Sequence, residues 1–278
     1  MRVSEIFGFD VENNSKEAWI SRNSKTCPFR GTACTKASKV DPLGICSLST
    51  GSRAASLCPV RFLEDNRIFS DAGRIAFGPD AQIEAFPEIR ILTVPSEAGG
   101  RDRKIGKVDF LIGHVVDGKV LDFAAVEVQA AYFSGGNLRD IQKSFLINHH
   151  LNDVNADRRP DFRSSAQKRL VPQLALKIPV FRRWGKKFFV VVDSQFFGAL
   201  PPFKATTESN SELTWLVYPF EKSRQAYTLG NPATVFSVWD DVQTALREGQ
   251  PPDPSDILKE LQLKLEIKVK KRRSTTSI

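Results

Sequence analysis

The stretch KVDFLIGHVVDGKVLDFAAVEVQA, residues 107–130, reads as two strands joined by a tight turn. Apolar residues alternate on both sides of Asp117-Gly118, a dipeptide that favours the positive φ angles of a hairpin turn. Polar side chains interrupt the pattern at Asp109 in the first strand, and at Glu127 and Gln129 in the second. The hairpin therefore organises the fold and also carries the polar residues that are the best candidates for a catalytic role.

The length of the turn decides whether these polar residues share a face. A two-residue turn pairs Val116 with Lys119 and sends the two carboxylates to opposite faces. A three-residue turn with a left-handed glycine pairs Val115 with Lys119, places Asp109 opposite Ala125 and gathers the polar groups. In this second register the other face carries an apolar stripe: Val108, Phe110, Ile112, Val126 and Val128. The apolar pattern fits both registers.

Two carboxylates a few ångströms apart repel each other, and a cation between them removes the repulsion. Mg²⁺ takes oxygen ligands and typically binds through one or two carboxylates together with phosphate and water. In that position it can activate water and stabilise charge at a scissile phosphate. The amide of Gln129 can position a ligand but cannot act as a general base. The residues thus indicate metal-assisted phosphodiester hydrolysis, and the alternative is an edge hairpin with solvated polar residues.

All four cysteines fall within residues 1–66, a segment rich in Ser, Thr, Lys and Gly. Apart from a helix predicted around Ser15 to Ile20, the segment shows little apolar periodicity, so we expect a bound metal to stabilise it. Four thiolates can hold zinc or iron in a tetrahedral shell, although the usual C-x2-C knuckles are absent. The alternative is four unrelated buried thiols. The spacing is C-x6-C-x11-C-x11-C, at Cys27, Cys34, Cys46 and Cys58.

The remaining chain has the pattern of an α/β domain over residues 67–250, followed by a C-terminal helix and basic tail over 251–278. Strands are predicted over 87–94, 188–197 and 212–220, and helices over 135–150 and near 163–178. Asn137, with Asp140 three residues later, predicts the start of the first of these helices. The short C-terminal helix is predicted to have Ser255 or Asp256 as its cap.

A formal net charge of +8 and a pI near 9.4 favour an anionic partner. Residues 158–187 hold ten basic side chains against a single acid, Asp161. Such a segment can neutralise phosphates, and arginine can read guanine edges in the major groove. The alternative is a solvated helix face. The residues expected to contact DNA are Arg158, Arg159, Arg163, Lys168 and Arg169.

In their order along the chain, these motifs resemble the PD-(D/E)xK nucleases and, more narrowly, the NotI family of type II restriction endonucleases. The similarity is carried by TCPF and LCPVRFL around the cysteines, FAAVEVQAAYF in the second hairpin strand and QKRLVPQLALK in the basic helix. The terminal KKRRSTT completes it, so that the resemblance runs from about residue 26 to the C-terminus.

The resemblance implies an α/β fold with a PD-(D/E)xK nuclease core, in which helices flank a mixed central sheet, and a small four-cysteine metal-binding module before it. It implies that Asp109 and Glu127 bind a catalytic Mg²⁺ and that Gln129 takes the place usually held by lysine. It also implies that the cysteines hold one structural iron, where the ligands alone suggest zinc. Glu88 and Glu97 are both candidates for an additional acidic metal ligand.

The implied activity is hydrolysis of both strands of double-stranded DNA at a GC-rich palindrome, for example one containing GGCC. A palindrome and two cuts fit a homodimer. Because no apolar leader or membrane segment is visible, we expect a cytoplasmic protein of a prokaryotic cell, without a nucleotide cofactor. Two alternatives stay open: a non-catalytic DNA-binding protein on a degenerate nuclease fold, for which Gln129 would be the sign, and an iron-sulfur redox protein.

Overall fold

The computed structural model describes residues 2–51, 53–95, 103–132, 138–149, 160–223, 225–247 and 252–275. The chain divides into two compact units, Met1–Leu246 and Arg247–Ile278. The boundaries predicted after residues 66 and 250 stay predictions. Glu97, Asn137, Arg158 and Arg159 lie outside the described residues.

The N-terminal segment forms a four-stranded antiparallel sheet in the order β2-β1-β5-β6. The predicted helix is present, and Ser15 caps its first turn by accepting a hydrogen bond from Ala18 N. Val3, Ile6 and Leu48 are buried in the same apolar cluster as residues of the central sheet, so the segment packs on a larger core. The elements are β1 (Arg2–Ile6), β2 (Phe9–Asp10), α1 (Lys16–Ser24), β3 (Thr26–Cys27), β4 (Thr32–Ala33), β5 (Ile45–Thr50), β6 (Arg53–Ser56), a 3-10 helix (Pro59–Asn66) and α2 (Arg67–Phe77).

A six-stranded sheet in the order β14-β11-β10-β9-β8-β7 forms the centre of the first unit. β10 runs parallel to β9 and β11, and the other neighbours are antiparallel. The prediction of an α/β fold with a mixed sheet flanked by helices is confirmed. The elements are β7 (Ile83–Val94), β8 (Arg103–Val116), β9 (Lys119–Val128), α3 (Leu138–Asn148), α4 (Phe162–Ser165), a π-helical turn (Ala166–Leu170), α5 (Val171–Trp184), β10 (Phe188–Asp193), α6 (Ser194–Gly198), a 3-10 turn (Glu208–Asn210), β11 (Leu213–Tyr218), β12 (Phe220–Lys222), β13 (Tyr227–Leu229), β14 (Ala233–Ser237) and α7 (Trp239–Arg247).

Each face of this sheet buries its own apolar cluster. Along β10, Val190 and Val192 belong to the cluster covered by α3, α5 and α7, whereas Phe189 and Val191 belong to the one covered by α2. This alternation is the period of two expected for a strand buried on both sides. Glu127 pairs with Val190 and therefore lies on the α5 side of the sheet.

The hairpin combines features of both predicted registers. Val116 pairs with Lys119 around a two-residue turn in which Asp117 and Gly118 both have positive φ, as in the turn type that fits strand twist. An irregularity between His114 and Val115 then shifts the pairing by one residue. After this shift Asp109 and Glu127 lie on the same face of the hairpin, as the three-residue turn predicts, and the two carboxylates converge. The predicted pairing of Asp109 with Ala125 is wrong, because Ala125 lies opposite Leu111.

Three other predictions need correction. The strand predicted over 188–197 ends at Asp193, whose carboxylate accepts a hydrogen bond from Phe196 N and starts α6. The strand predicted over 212–220 is divided into β11 and β12. Val108, expected in the apolar stripe, is buried in the cluster on the other face.

The second unit holds one long helix, α8 (Pro254–Thr275), where the sequence predicts a short helix and a tail. Several large apolar side chains of α8 are exposed: Ile257, Leu258, Leu261, Leu263, Leu265 and Ile267. Among the described residues, no helix has both the length and the apolar character needed to cross a membrane.

Candidate active site

The carboxylates of Asp109 and Glu127 lie where β8 and β9 separate. The last paired residues of the two strands are Phe110 and Val126. Beyond them, Asp109 N donates to Glu127 Oε1 at 3.2 Å, and Val128 N donates to Asp109 Oδ2 at 3.0 Å. Each carboxylate thus accepts a hydrogen bond from a backbone N–H group that lies beyond the last pair between β8 and β9. These reciprocal bonds hold the two acids side by side at the open end of the hairpin.

Burial makes Glu127 an unusual acid. Its residue surface is 2% exposed, and this desolvation, together with the neighbouring Asp109, raises the pKa of Glu127 to about 7. The nearby ammonium of Lys177 acts in the opposite direction. Two converging acids, one of them with a pKa raised into the physiological range, form a site that gains stability from a cation.

The sequence does not single out Lys177, yet it is the residue in closest polar contact with Glu127. Its ammonium lies 2.6 Å from Glu127 Oε1 and 3.3 Å from Gln173 Oε1, and the residue is 3% exposed. The available signal is the buried face of α5, which otherwise carries Leu174, Ile178 and Phe181. A lysine at helical spacing among apolar residues indicates an internal partner.

Gln129 follows β9 directly and is half-buried. Its Nε2 donates to the carbonyl oxygen of Ala130 at 2.6 Å. Together with Asp109, Tyr132 and Gln173 it lines a cavity of about 220 Å³. The structure therefore brings Gln129 to the same cleft as Asp109, although its amide is bonded to the neighbouring backbone.

A second cavity, of about 590 Å³, is also lined by Asp109. Glu88 lines it and falls opposite Asp109 in the pairing of β7 with β8, between the pairs Pro87–Phe110 and Ile89–Val108. The φ angle of Glu88 is +60°, which is rare inside a strand. Its exposed carboxylate forms an ion pair with Lys107 at 2.8 Å, which lowers the pKa of Glu88. Both cavities share Asp109 and form one cleft with it.

The four cysteines are free thiols that line one small cavity. Burial raises the pKa of Cys27, Cys46 and Cys58, and Gly8 N donates to Cys46 Sγ at 3.2 Å. Within the part of the chain that the structure describes, no group of three or more His, Cys, Asp or Glu residues has a metal-holding arrangement. The predicted metal site of the cysteines stays a prediction.

Three of the five residues expected to contact DNA lie in the described segments. Arg163, Lys168 and Arg169 are exposed along α4 and the π-helical turn. Arg169 lines the smaller cavity of the cleft, and its guanidinium lies 4.3 Å from the ring centroid of Tyr132. A cation and an aromatic ring thus lie beside Asp109 in the cleft.

A cavity of about 730 Å³ lies elsewhere, beside the start of β10. Its acids are already paired with cations, since Glu212 contacts Arg182 at 3.0 Å and Glu208 contacts Lys187. The cleft around Asp109 is therefore the better candidate for the active site, although each of its two cavities is smaller than this one.

Comparison with known proteins agrees with the resemblance seen in the sequence. The family model described as restriction endonuclease NotI matches residues 14–231, well over half of the chain. The match includes all four cysteines, both hairpin strands and α5. No curated protein shows significant similarity to the chain.

Proposed function

Because the chain belongs to the NotI restriction endonuclease family and is a type II site-specific deoxyribonuclease, we propose that it cleaves DNA with a divalent metal ion held by Asp109 and Glu127. The observation that carries the proposal is the reciprocal bonding of these two acids at the open end of the hairpin. Mg²⁺ is the expected ion, because the donors are carboxylate oxygens in a cleft that substrate phosphate could enter. In this proposal the two acids form the metal-binding part of a PD-(D/E)xK site.

The ion, once bound, would supply Lewis-acid activation of water and offset charge at the scissile phosphate. The chain's own residues orient the reactants. Asp109, shared by both cavities, reaches the cleft from β8, and Glu127 is fixed from behind by Lys177. Gln129 stands where its amide can order water but cannot take a proton. Arg169 and Arg163 offer positive charge for the DNA backbone.

We also propose that the enzyme cleaves at one specific DNA sequence. The target is a GC-rich palindrome, for example one containing GGCC, read by arginines of the basic segment. A homodimer would place one active site at each strand. Incubation of the purified protein with phage DNA and Mg²⁺ should give discrete fragments whose ends share one palindrome. DNA that stays intact, or a smear without common ends, would contradict the assignment.

We propose Glu88 as the third acidic ligand, whereas Glu97, the other candidate, lies outside the described residues. Glu88 lies opposite Asp109 and lines the same cavity, and its left-handed backbone in a strand is a strained feature of the kind that clusters at functional sites. We expect Glu88→Gln to lower cleavage by roughly ten- to a hundredfold, as loss of a group that supports a metal site does. Rates measured against Mg²⁺ concentration should show a weaker apparent metal affinity.

Glu84→Gln is the matched control for Glu88, because Glu84 is another exposed acid of β7, four residues away. It should cleave at the wild-type rate. Equal rates for both variants would remove Glu88 from the site.

The cysteines are proposed to hold one structural iron or zinc. The donor set supports this proposal, because four reduced thiols line one cavity. Burial raises the pKa of Cys46, so a thiolate there needs a bound cation to stabilise its charge. Elemental analysis should find one iron or zinc per chain, and Cys46→Ser should abolish it and lower the free energy of unfolding by several kcal/mol. All four thiols should react with a thiol reagent only after chelation. A metal-free protein that melts at the same temperature as its Cys46→Ser variant would exclude the site.

A further inference from the structure

We propose that Lys177 is the positioning residue that supplies, from α5, the ammonium group that the catalytic strand lacks because position 129 is glutamine. This inference deepens the proposed function, since it assigns a role at the same site. It is carried by one contact, the 2.6 Å approach of Lys177 Nζ to Glu127 Oε1 inside the protein.

A structural role alone accounts poorly for this lysine. Its neighbours on the buried face of α5 are Leu174, Ile178 and Phe181, so an apolar residue at position 177 would extend that face. Burying an ion pair takes both charges out of water, and apolar replacements of whole buried pairs are often neutral or stabilising. A single buried cation aimed at an active-site carboxylate therefore points to a functional requirement.

The hydrogen bonds show how Lys177 would act. Glu127 Oε1 accepts from both Lys177 Nζ and Asp109 N, which fixes the plane of the carboxylate. Among the bonds of the described residues, Oε2 has no donor and stays available to a cation. Gln173, one turn earlier on α5, holds the ammonium from the other side at 3.3 Å. The lysine thus orients Glu127 and offsets part of the negative charge that incoming phosphate meets.

The sharpest test moves the lysine. Lys177→Met should slow single-turnover cleavage by about a hundredfold, the usual cost of losing one preorganised electrostatic group. The double variant Lys177→Met/Gln129→Lys returns an ammonium to the site from the strand and should recover at least about tenfold of that loss. Lys16→Met, which removes an exposed lysine at the start of α1, is the control and should cleave normally.

A second readout does not depend on cleavage. Without metal, Lys177→Met should weaken binding to the cleaved duplex about fivefold, because two acids then face phosphate with no internal cation. With Ca²⁺ present its affinity should return to within about threefold of the wild type, since a bound cation restores the charge. If the wild type binds DNA but does not cut it, the proposed function fails, while the metal-free affinities still decide the role of Lys177.

Three results would overturn the proposal: a folded Lys177→Met that cleaves at the wild-type rate, a double variant no faster than Lys177→Met, or equal losses of affinity with and without Ca²⁺. If Lys177→Met does not fold, Gln173→Leu replaces it, because Gln173 is exposed. Loss of this second acceptor should slow cleavage about fivefold. An unchanged rate would count against the proposal.

Discussion

Glu127→Gln is expected to reduce DNA cleavage by roughly a thousandfold or more while the protein stays folded. The carboxylate supplies charge to the metal site, and metal-ion catalysis contributes several kcal/mol of transition-state stabilisation, about tenfold in rate for each 1.4 kcal/mol. Glutamine has nearly the same shape and keeps an oxygen for the bonds from Lys177 and Asp109 N. The lost property is therefore charge, not packing.

Two further measurements separate this effect from unfolding. The melting temperature of Glu127→Gln should fall, because Lys177 is left buried without its charged partner, but should stay well above the assay temperature. Its DNA affinity without metal should rise, because one negative charge facing phosphate has been removed. Glu17→Gln, which neutralises an exposed acid on α1, serves as control and should cleave normally. A Glu127→Gln protein that cuts DNA within tenfold of the wild type would exclude Glu127 as a metal ligand.

Arg61→Met is expected to produce the largest loss of stability, roughly 3–5 kcal/mol. The guanidinium is fully buried, and its Nε lies 3.0 Å from both carboxylate oxygens of Glu5 on β1. It also donates to Glu64 and to the carbonyl oxygen of Tyr227 on β13. Although burial alone would lower it, the acids Glu5 and Glu64 raise the pKa of Arg61, so the cation persists. Its removal would leave Glu5 buried without a counter-ion.

Urea unfolding of Arg61→Met, Glu5→Gln/Arg61→Met and Arg53→Met tests this explanation. The double variant removes both charges and should recover part of the loss, because the unpaired acid causes most of it. Arg53 is exposed on β6, so its replacement should change the free energy of unfolding by less than about 0.5 kcal/mol. If Arg61→Met is as stable as Arg53→Met, the buried ion pair does not hold the N-terminal sheet to β13.

The sequence predicted the hairpin and its polar residues, because alternation and an Asp-Gly turn are local signals. It did not predict the register. The irregularity that brings the carboxylates opposite each other lies beside His114, next to Gly113, and an isolated glycine in a strand can mark a bulge but does not fix which residues then pair. The resemblance, and not the turn, supplied the correct expectation that the acids converge.

The sequence did not predict the role of Lys177, for a different reason. This lysine is one of ten basic residues in a segment that reads as uniformly cationic. Tertiary packing separates them: Arg163, Lys168 and Arg169 face solvent, whereas Lys177 turns inward to Glu127. Helical spacing could have shown this, since Leu174, Lys177, Ile178 and Phe181 form one face. The position of Glu88 opposite Asp109 likewise depends on the pairing of β7 with β8, which the sequence did not predict.

The most direct test of the central claim is an anomalous-scattering map of crystals that contain the protein, its cleaved duplex and Mn²⁺ in place of Mg²⁺. We expect a manganese peak bonded to carboxylate oxygens of both Asp109 and Glu127 and to a phosphate oxygen of the DNA. A peak at another site with the DNA cleaved, or a cleaved duplex with Glu127 bonded only to Lys177, would contradict it.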